Sequence, residues 1–139
     1  MVRIAVIGAG ALGGQFAAHL AHSGADLHII DTDRAHVAQI NAAGLQVGGA
    51  FGDKVVRVSA SIELPTALAG QFDAVFVHVD SNNTAAAAAT ALAALSPTGF
   101  CWHCQNGLGN ASVLQQVLGA ERVLTGSTMV RPPKSSSIP

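Results

Sequence analysis

Six residues near the N-terminus constrain this chain more than any other part of it. Gly8, Ala9, Gly10, Ala11, Leu12 and Gly13 spell GxGxxG directly after Val2 to Ile7, a short apolar run rich in β-branched residues. Such a run reads as a strand buried on both faces, as in a parallel sheet. Beyond the glycines, apolar residues recur at Leu12, Phe16, Ala17, Leu20 and Ala21, the stripe of a helix packed on that sheet, and Gly24 ends it as a C-terminal cap would. Leu27 to Ile30 is a second strand closing on Asp31, 18 residues after Gly13. Strand, glycine turn, helix, strand and terminal acid are the context in which GxGxxG binds a dinucleotide.

The spacing has a physical reason. Gly8 permits the tight turn, Gly10 lets the backbone approach a pyrophosphate, and Gly13 lets helix and strand pack closely. The helix N-terminus adds free N–H groups and positive dipole. A bare βα turn would have no use for all three glycines and the acid. Asp31 is expected to accept hydrogen bonds from the adenosine ribose, and its charge repels a 2′-phosphate, so NAD is favoured over NADP. Arg34 offers the opposite route: it can swing to a 2′-phosphate, with Asp31 turned away. Asp31 also competes with Thr32 and Asp33 to cap the next helix.

The rest of the chain repeats the alternation. Arg34 to Ala43 reads as a helix closing on Gly44, and Leu45 to Ser59, with Gly48, Gly49, Gly52 and Asp53, as a hairpin or small meander. A short helix is expected over Glu63 to Ala69 and a buried strand over Ala74 to Val79. An alanine-rich helix runs to Leu95, stopped by Pro97 and Gly99. Phe100 to Cys104 reads as a strand, Asn106 to Asn110 as a glycine-rich loop, Ala111 to Leu118 as a helix and Arg122 to Val130 as a last strand. The expected fold is α/β, a doubly wound parallel sheet of the Rossmann type in a single domain over residues 1–130. Residues 131–139, RPPKSSSIP, lose all periodicity and read as a linker or tail.

Composition removes other classes. Half of the 139 residues are hydrophobic, 11% are charged, and the formal charge is -1. A chain of this length buries a sizeable core without staples, and it has no basic field to attract nucleic acid or an anionic membrane. The longest apolar stretch, Ala85 to Leu95, falls short of the roughly 18 residues a membrane span needs. With two cysteines and no leader-like N-terminus, a soluble cytoplasmic protein is expected.

Three constellations resemble chemistry. Cys101-Trp-His-Cys104 has CxxC spacing, but within a strand positions i and i+3 face opposite ways, so the cysteines are read as buried and structural. His19 and His22 lie i, i+3 on the first helix without a third ligand and are read as surface residues, so no metal site is expected. His78, near the carboxyl end of a central strand, could face a ligand as a proton carrier; a histidine packed under a helix is the plainer reading. The Ala85 to Ala94 run is read as helix propensity with small-residue packing and nothing more.

RIAVIGAGALGG at the start, HVAQINAAGLQV from His36, QNGLGN from Gln105 and GAERVLTGSTMV from Gly119 together resemble the ketopantoate reductase (2-dehydropantoate 2-reductase) family over nearly the whole chain. QNGxGN is the more specific of these signals. The resemblance implies hydride transfer from NADPH or NADH to the ketone of 2-dehydropantoate, a step toward coenzyme A. It implies that Gly8, Ala9, Gly10, Ala11, Leu12 and Gly13 hold the pyrophosphate and that Asn106 approaches the nicotinamide. Asn106 also suits that role by position, just past a strand end and beside Gly107 and Gly109.

The chain departs from the family pattern in three ways. Asp80 stands where members usually carry a lysine, and its charge would repel a keto-acid carboxylate. Arg131, Pro132 and Pro133 stand where another strand is usual, and prolines in series cannot join a ladder. The family's catalytic lysine lies in a C-terminal helical domain, so no catalytic residue is expected within these 139 residues and the chain alone is expected to be inactive. The expected partners are a dinucleotide and either that helical domain or a second copy. Two other readings stand beside this one: a stand-alone NAD(H)-binding or sensing module, and an oligomerisation domain with an empty glycine loop.

Overall fold

A computed structural model describes residues 2–8, 11–47, 54–79, 83–103 and 108–125. The elements run β1 (Arg3–Ile7), α1 (Ala11–His22), β2 (Asp26–Ile30), α2 (Arg34–Ala43), β3 (Leu45–Val47), β4 (Lys54–Val56), β5 (Ser59–Ser61), a 3-10 turn (Thr66–Leu68), β6 (Phe72–Val77), α3 (Thr84–Ala94), β7 (Leu95–His103), α4 (Leu108–Leu118), a second 3-10 turn (Ala120–Arg122) and β8 (Val123–Thr125). Six strands form one sheet in the order β5-β2-β1-β6-β7-β8, every pair parallel, while β3 and β4 make a separate antiparallel ribbon. Numbered within the sheet, this is the 3-2-1-4-5-6 order of dinucleotide-binding folds, with the order reversing between β1 and β6. The expected α/β architecture is therefore the one found.

Alternation along each strand sorts the core into two layers. Ala5, Ile7, Ile30, Val75, Val77 and Cys101 face α3 and α4, meeting Ala88, Ala91, Leu114 and Leu118. Val6, Leu27, Ile29 and Phe76 face α1 and α2, meeting Ala17, Ala18, Val37 and Ile40. Each fully buried aliphatic side chain contributes about 1.5–3 kcal/mol. In the second layer Phe16, Phe76 and Trp102 pack in tilted and edge-on pairs, with ring centroids 4.3–5.1 Å apart. The helix ends follow the expected chemistry: Gly24 and Gly44 take positive φ just past α1 and α2, and the Gly44 N–H donates to Ile40 O at 2.8 Å.

Several boundaries differ from the sequence reading. β6 starts at Phe72 and ends at Val77, two residues before the expected range at each end. β7 begins at Leu95, through the residues read as a stop. Its ladder pairs Leu95 with Phe72 and resumes only at Phe100 with Ala74, so Pro97 and Gly99 sit in an irregularity where a missing N–H is tolerated. α4 begins at Leu108, so the expected glycine-rich loop is shortened by a helix start that takes in Gly109 and Asn110. Glu63 to Ala69 forms only the 3-10 turn. β8 is described to Thr125, and the tail lies outside the described residues.

Candidate functional site

The parallel strands β1, β2 and β6 end on one edge of the sheet, and the chain must splay there because α1 and α3 leave toward opposite faces. The crevice this creates is a cleft of about 500 Å³. Ile7 and Gly8 from β1, Ile30 and Asp31 from β2, and Val79 after β6 contribute to its lining. Ile62, Glu63 and Leu64 after β5 form one wall, and Asn83 just before α3 with Ala86, Ala89, Thr90 and Ala93 of α3 another. Open α/β sheets bind ligands at this switch point.

Gly8 takes φ +94°, a conformation that favours glycine, and its N–H donates to Ile30 O at 2.9 Å. A Cβ at Gly8 would lie 2.1 Å from the His78 carbonyl oxygen, and one at Gly13 would lie 2.1 Å from the Gly8 carbonyl oxygen. Strand β6, the glycine turn and the first turn of α1 are thus stacked at backbone contact, the close packing expected of Gly13. Ala11 and Leu12 open α1, whose first N–H groups have no intrahelical acceptor and point out of its start. Ala9, Gly10 and Asn106 lie outside the described residues, as do Asp80 and Cys104.

Asp31 caps no helix. Its Oδ1 accepts from the Asp33 N–H at 2.9 Å, and Asp33, with extended backbone, is the α2 cap, accepting from the His36 N–H at 3.1 Å. The Asp31 N–H donates to Ser61 O at 3.0 Å, and Oδ2 lies 3.9 Å from His36 Nδ1. Its carboxylate is therefore anchored from below while the residue lines the cleft. Gly8 and Asp31, singled out separately by sequence, meet in one cavity.

The other constellations fall in part on described residues. Cys101 is fully buried and burial pushes its thiol up to about 12, far from a reactive value. His19 and His22 lie exposed on α1, and no metal-holding group of side chains occurs among the described residues. His78 falls just past β6, its ring stacked on Phe76 at 6.2 Å and its Cβ near Gly13, the packed arrangement. The reading of the alanine run as packing alone needs correction: Ala86, Ala89, Thr90 and Ala93 line the cleft, and their small side chains keep it open. The wall from Ile62 to Leu64 carries no motif signal in the sequence and becomes visible only in the cleft it lines. No helix of the described residues is long and apolar enough to cross a membrane.

The family model described as ketopantoate reductase PanE/ApbA matches residues 4–135. The 2-dehydropantoate 2-reductase of Halobacterium salinarum is 34% identical over 128 residues, covering 91% of this chain and 41% of that protein. The crystal structure of a PanE/ApbA family ketopantoate reductase from Ralstonia eutropha superposes with a TM-score of 0.76 at 33% identity, over 89% of this chain and 40% of that one. A D-mandelate dehydrogenase in ternary complex with NADH and anilino(oxo)acetate shares the fold, with a TM-score of 0.83 at 23% identity over 92% of this chain and 41% of that one. The chain thus spans about two fifths of the length of these relatives.

Proposed function

The chain belongs to the ketopantoate reductase PanE/ApbA family of oxidoreductases, and from that premise we propose that it is the dinucleotide-binding part of an NAD(P)H-dependent reductase of a 2-keto acid. The observation that carries this is the meeting of Gly8 and Asp31 in one cleft at the point where the strand order reverses. The donor set fits a dinucleotide. Two glycines without room for a Cβ hold the end of β1 tight against the start of α1, where free N–H groups supply donors for the pyrophosphate, and Asp31 accepts from the ribose hydroxyls. Ile62 and Leu64 opposite Ala86, Ala89 and Thr90 offer an apolar slot for the adenine. Asp33 rather than Asp31 caps α2, and a carboxylate at Asp31 in the cleft would repel a 2′-phosphate, which favours NAD over NADP. The nicotinamide, when bound, supplies the hydride; Asn106 is proposed to orient it.

Residues 1–130 form the binding domain in this reading and 131–139 a connecting segment. Reducing a ketone also requires a proton donor and a substrate clamp, and we assign both to groups that these 139 residues do not supply. Calorimetric titration with NADH and NADPH tests the binding half: one NADH per chain is expected, tighter than NADPH, and no uptake of either would overturn it. Following NADH oxidation with 2-dehydropantoate tests the other half. No turnover is expected, and Asp80→Lys should not create any; turnover by the chain alone would refute the assignment of catalysis elsewhere.

A further inference from the structure

Strand β2 delivers Asp31 to the cleft, and β5 beside it delivers the opposing wall, Ile62 to Leu64. Between the two strands runs a part-buried polar relay. His28, in the middle of β2 and only 7% exposed, pairs in register with Ser59, so its ring lies on the same sheet face as Ser59 and Ser61. Its Nδ1 is 2.7 Å from Ser59 Oγ and its Nε2 is 2.7 Å from Ser61 Oγ. Ser61 Oγ also bonds to the carbonyl oxygen of Glu63.

Proton counting orders these bonds. A carbonyl only accepts, so the Ser61 hydroxyl donates to Glu63 O, and its oxygen then accepts from Nε2–H. Burial favours the neutral imidazole, which has one N–H, so Nδ1 accepts from the Ser59 hydroxyl. The relay runs one way, from Ser59 through His28 and Ser61 to the backbone of Glu63, and bonds in such a chain reinforce one another. The Asp31 N–H to Ser61 O bond ties its end to the ribose anchor.

We propose that His28 is a positioning residue for the adenosine half of the dinucleotide site, fixing the Ser61 to Leu64 wall across from Asp31 through Ser61. The proposal rests on the dinucleotide reading above. The test is the affinity of the 139-residue chain for NADH and AMP in His28→Asn, His28→Gln, Ser61→Ala and the Asn–Ala double variant. A glutamine amide reaches the place of Nε2 and keeps the donor to Ser61, whereas an asparagine amide falls at the place of Nδ1 and does not. His28→Asn loses one bond of the relay and should weaken AMP binding about fivefold; Ser61→Ala loses that bond and the one to Glu63 O and should weaken it at least as much. The double variant should be no weaker than Ser61→Ala, and His28→Gln should bind like wild type.

A purely structural histidine would instead give Gln and Asn the same affinity at matched melting temperature, and that result overturns the proposal. So does wild-type AMP affinity in Ser61→Ala, which also decides the matter should His28→Asn not fold. Wild-type protein that binds neither NADH nor AMP would sink the dinucleotide reading itself, whereas binding by wild type and all variants alike sinks the relay alone.

Discussion

Gly13→Ala sets two physical effects of opposite sign against each other. Gly13 lies in the first turn of α1, where alanine is intrinsically better than glycine by about 1 kcal/mol. The new Cβ, however, would sit 2.1 Å from the Gly8 carbonyl oxygen, well short of the 3.4 Å at which ordinary contact begins. The obstacle is backbone, and it cannot retreat. Gly8 is itself wedged against the His78 carbonyl and tied through its N–H to Ile30 O. Helix α1 must therefore lift, loosening Ala17 and Ala18 from Val6 and Phe76. Overpacking of this kind costs about 1–3 kcal/mol, so the net expectation is a loss of about 0–2 kcal/mol and a fall in Tm of up to about 8 °C. Lifting α1 also withdraws its N–H groups from the phosphates, so NADH affinity should fall by more than about tenfold, as if a charge-assisted hydrogen bond were lost. Gly24→Ala is the comparison. Gly24 has φ +101° but nothing within 4 Å of its added Cβ, so it should lose about 1 kcal/mol to backbone strain and keep wild-type affinity. Thermal melts and calorimetry read both effects. A more stable Gly13→Ala protein, or one that binds NADH as wild type does, would refute the stacking argument.

Asp31→Ala should weaken NADH binding by about ten- to a hundredfold and narrow the gap to NADPH, whereas Asp33→Ala should cost about 1 kcal/mol of stability through the lost cap and leave affinity intact; titration and melting of both variants separate the two acids. Cys101 should resist iodoacetamide at pH 8 in the native protein and react in denaturant, as read by mass spectrometry of its peptide, because its thiol stays protonated up to about 12. Burial lowers the pKa of His28 and of His103 below the ordinary 6.5. The unfolded chain therefore binds more protons in that window, and stability should be full above 6.5 and fall as the pH drops below it. Denaturant midpoints measured across that range check this, and His28→Gln should remove part of the slope.

The legible parts of the fold are those where local pattern and tertiary demand agree. β1, α1 and β2 were readable because Gly8 and Gly13 sit where backbone meets backbone, and only glycine fits there. The strand over Phe100 to His103 was readable too, but the first part of β7 was not, because Pro97 and Gly99 break helix and strand patterns alike. Only the pairing of Leu95 with Phe72 across the sheet shows that the strand begins before them. The start of α4 was hidden for a related reason: glycine and asparagine read as loop, and the first turn of a helix accepts both. In the site, Gly8 and Asp31 carried motif signals, whereas Ile62, Leu64 and Ala86 have unremarkable chemistry and gain meaning only by lining the same cleft. The relay around His28 depends on strand register between β2 and β5, which no local pattern encodes.

The central claim, that a dinucleotide lies in the cleft between β1, β2 and α3, is tested most directly by following backbone amide resonances as NADH is added. The account predicts the largest shifts at Gly8, Gly13 and Asp31, in the wall from Ile62 to Leu64, and at Ala86 and Thr90. Shifts clustered at the opposite edge of the sheet, around Asp26, Arg57 and Ser59, where a second cleft opens, would contradict it.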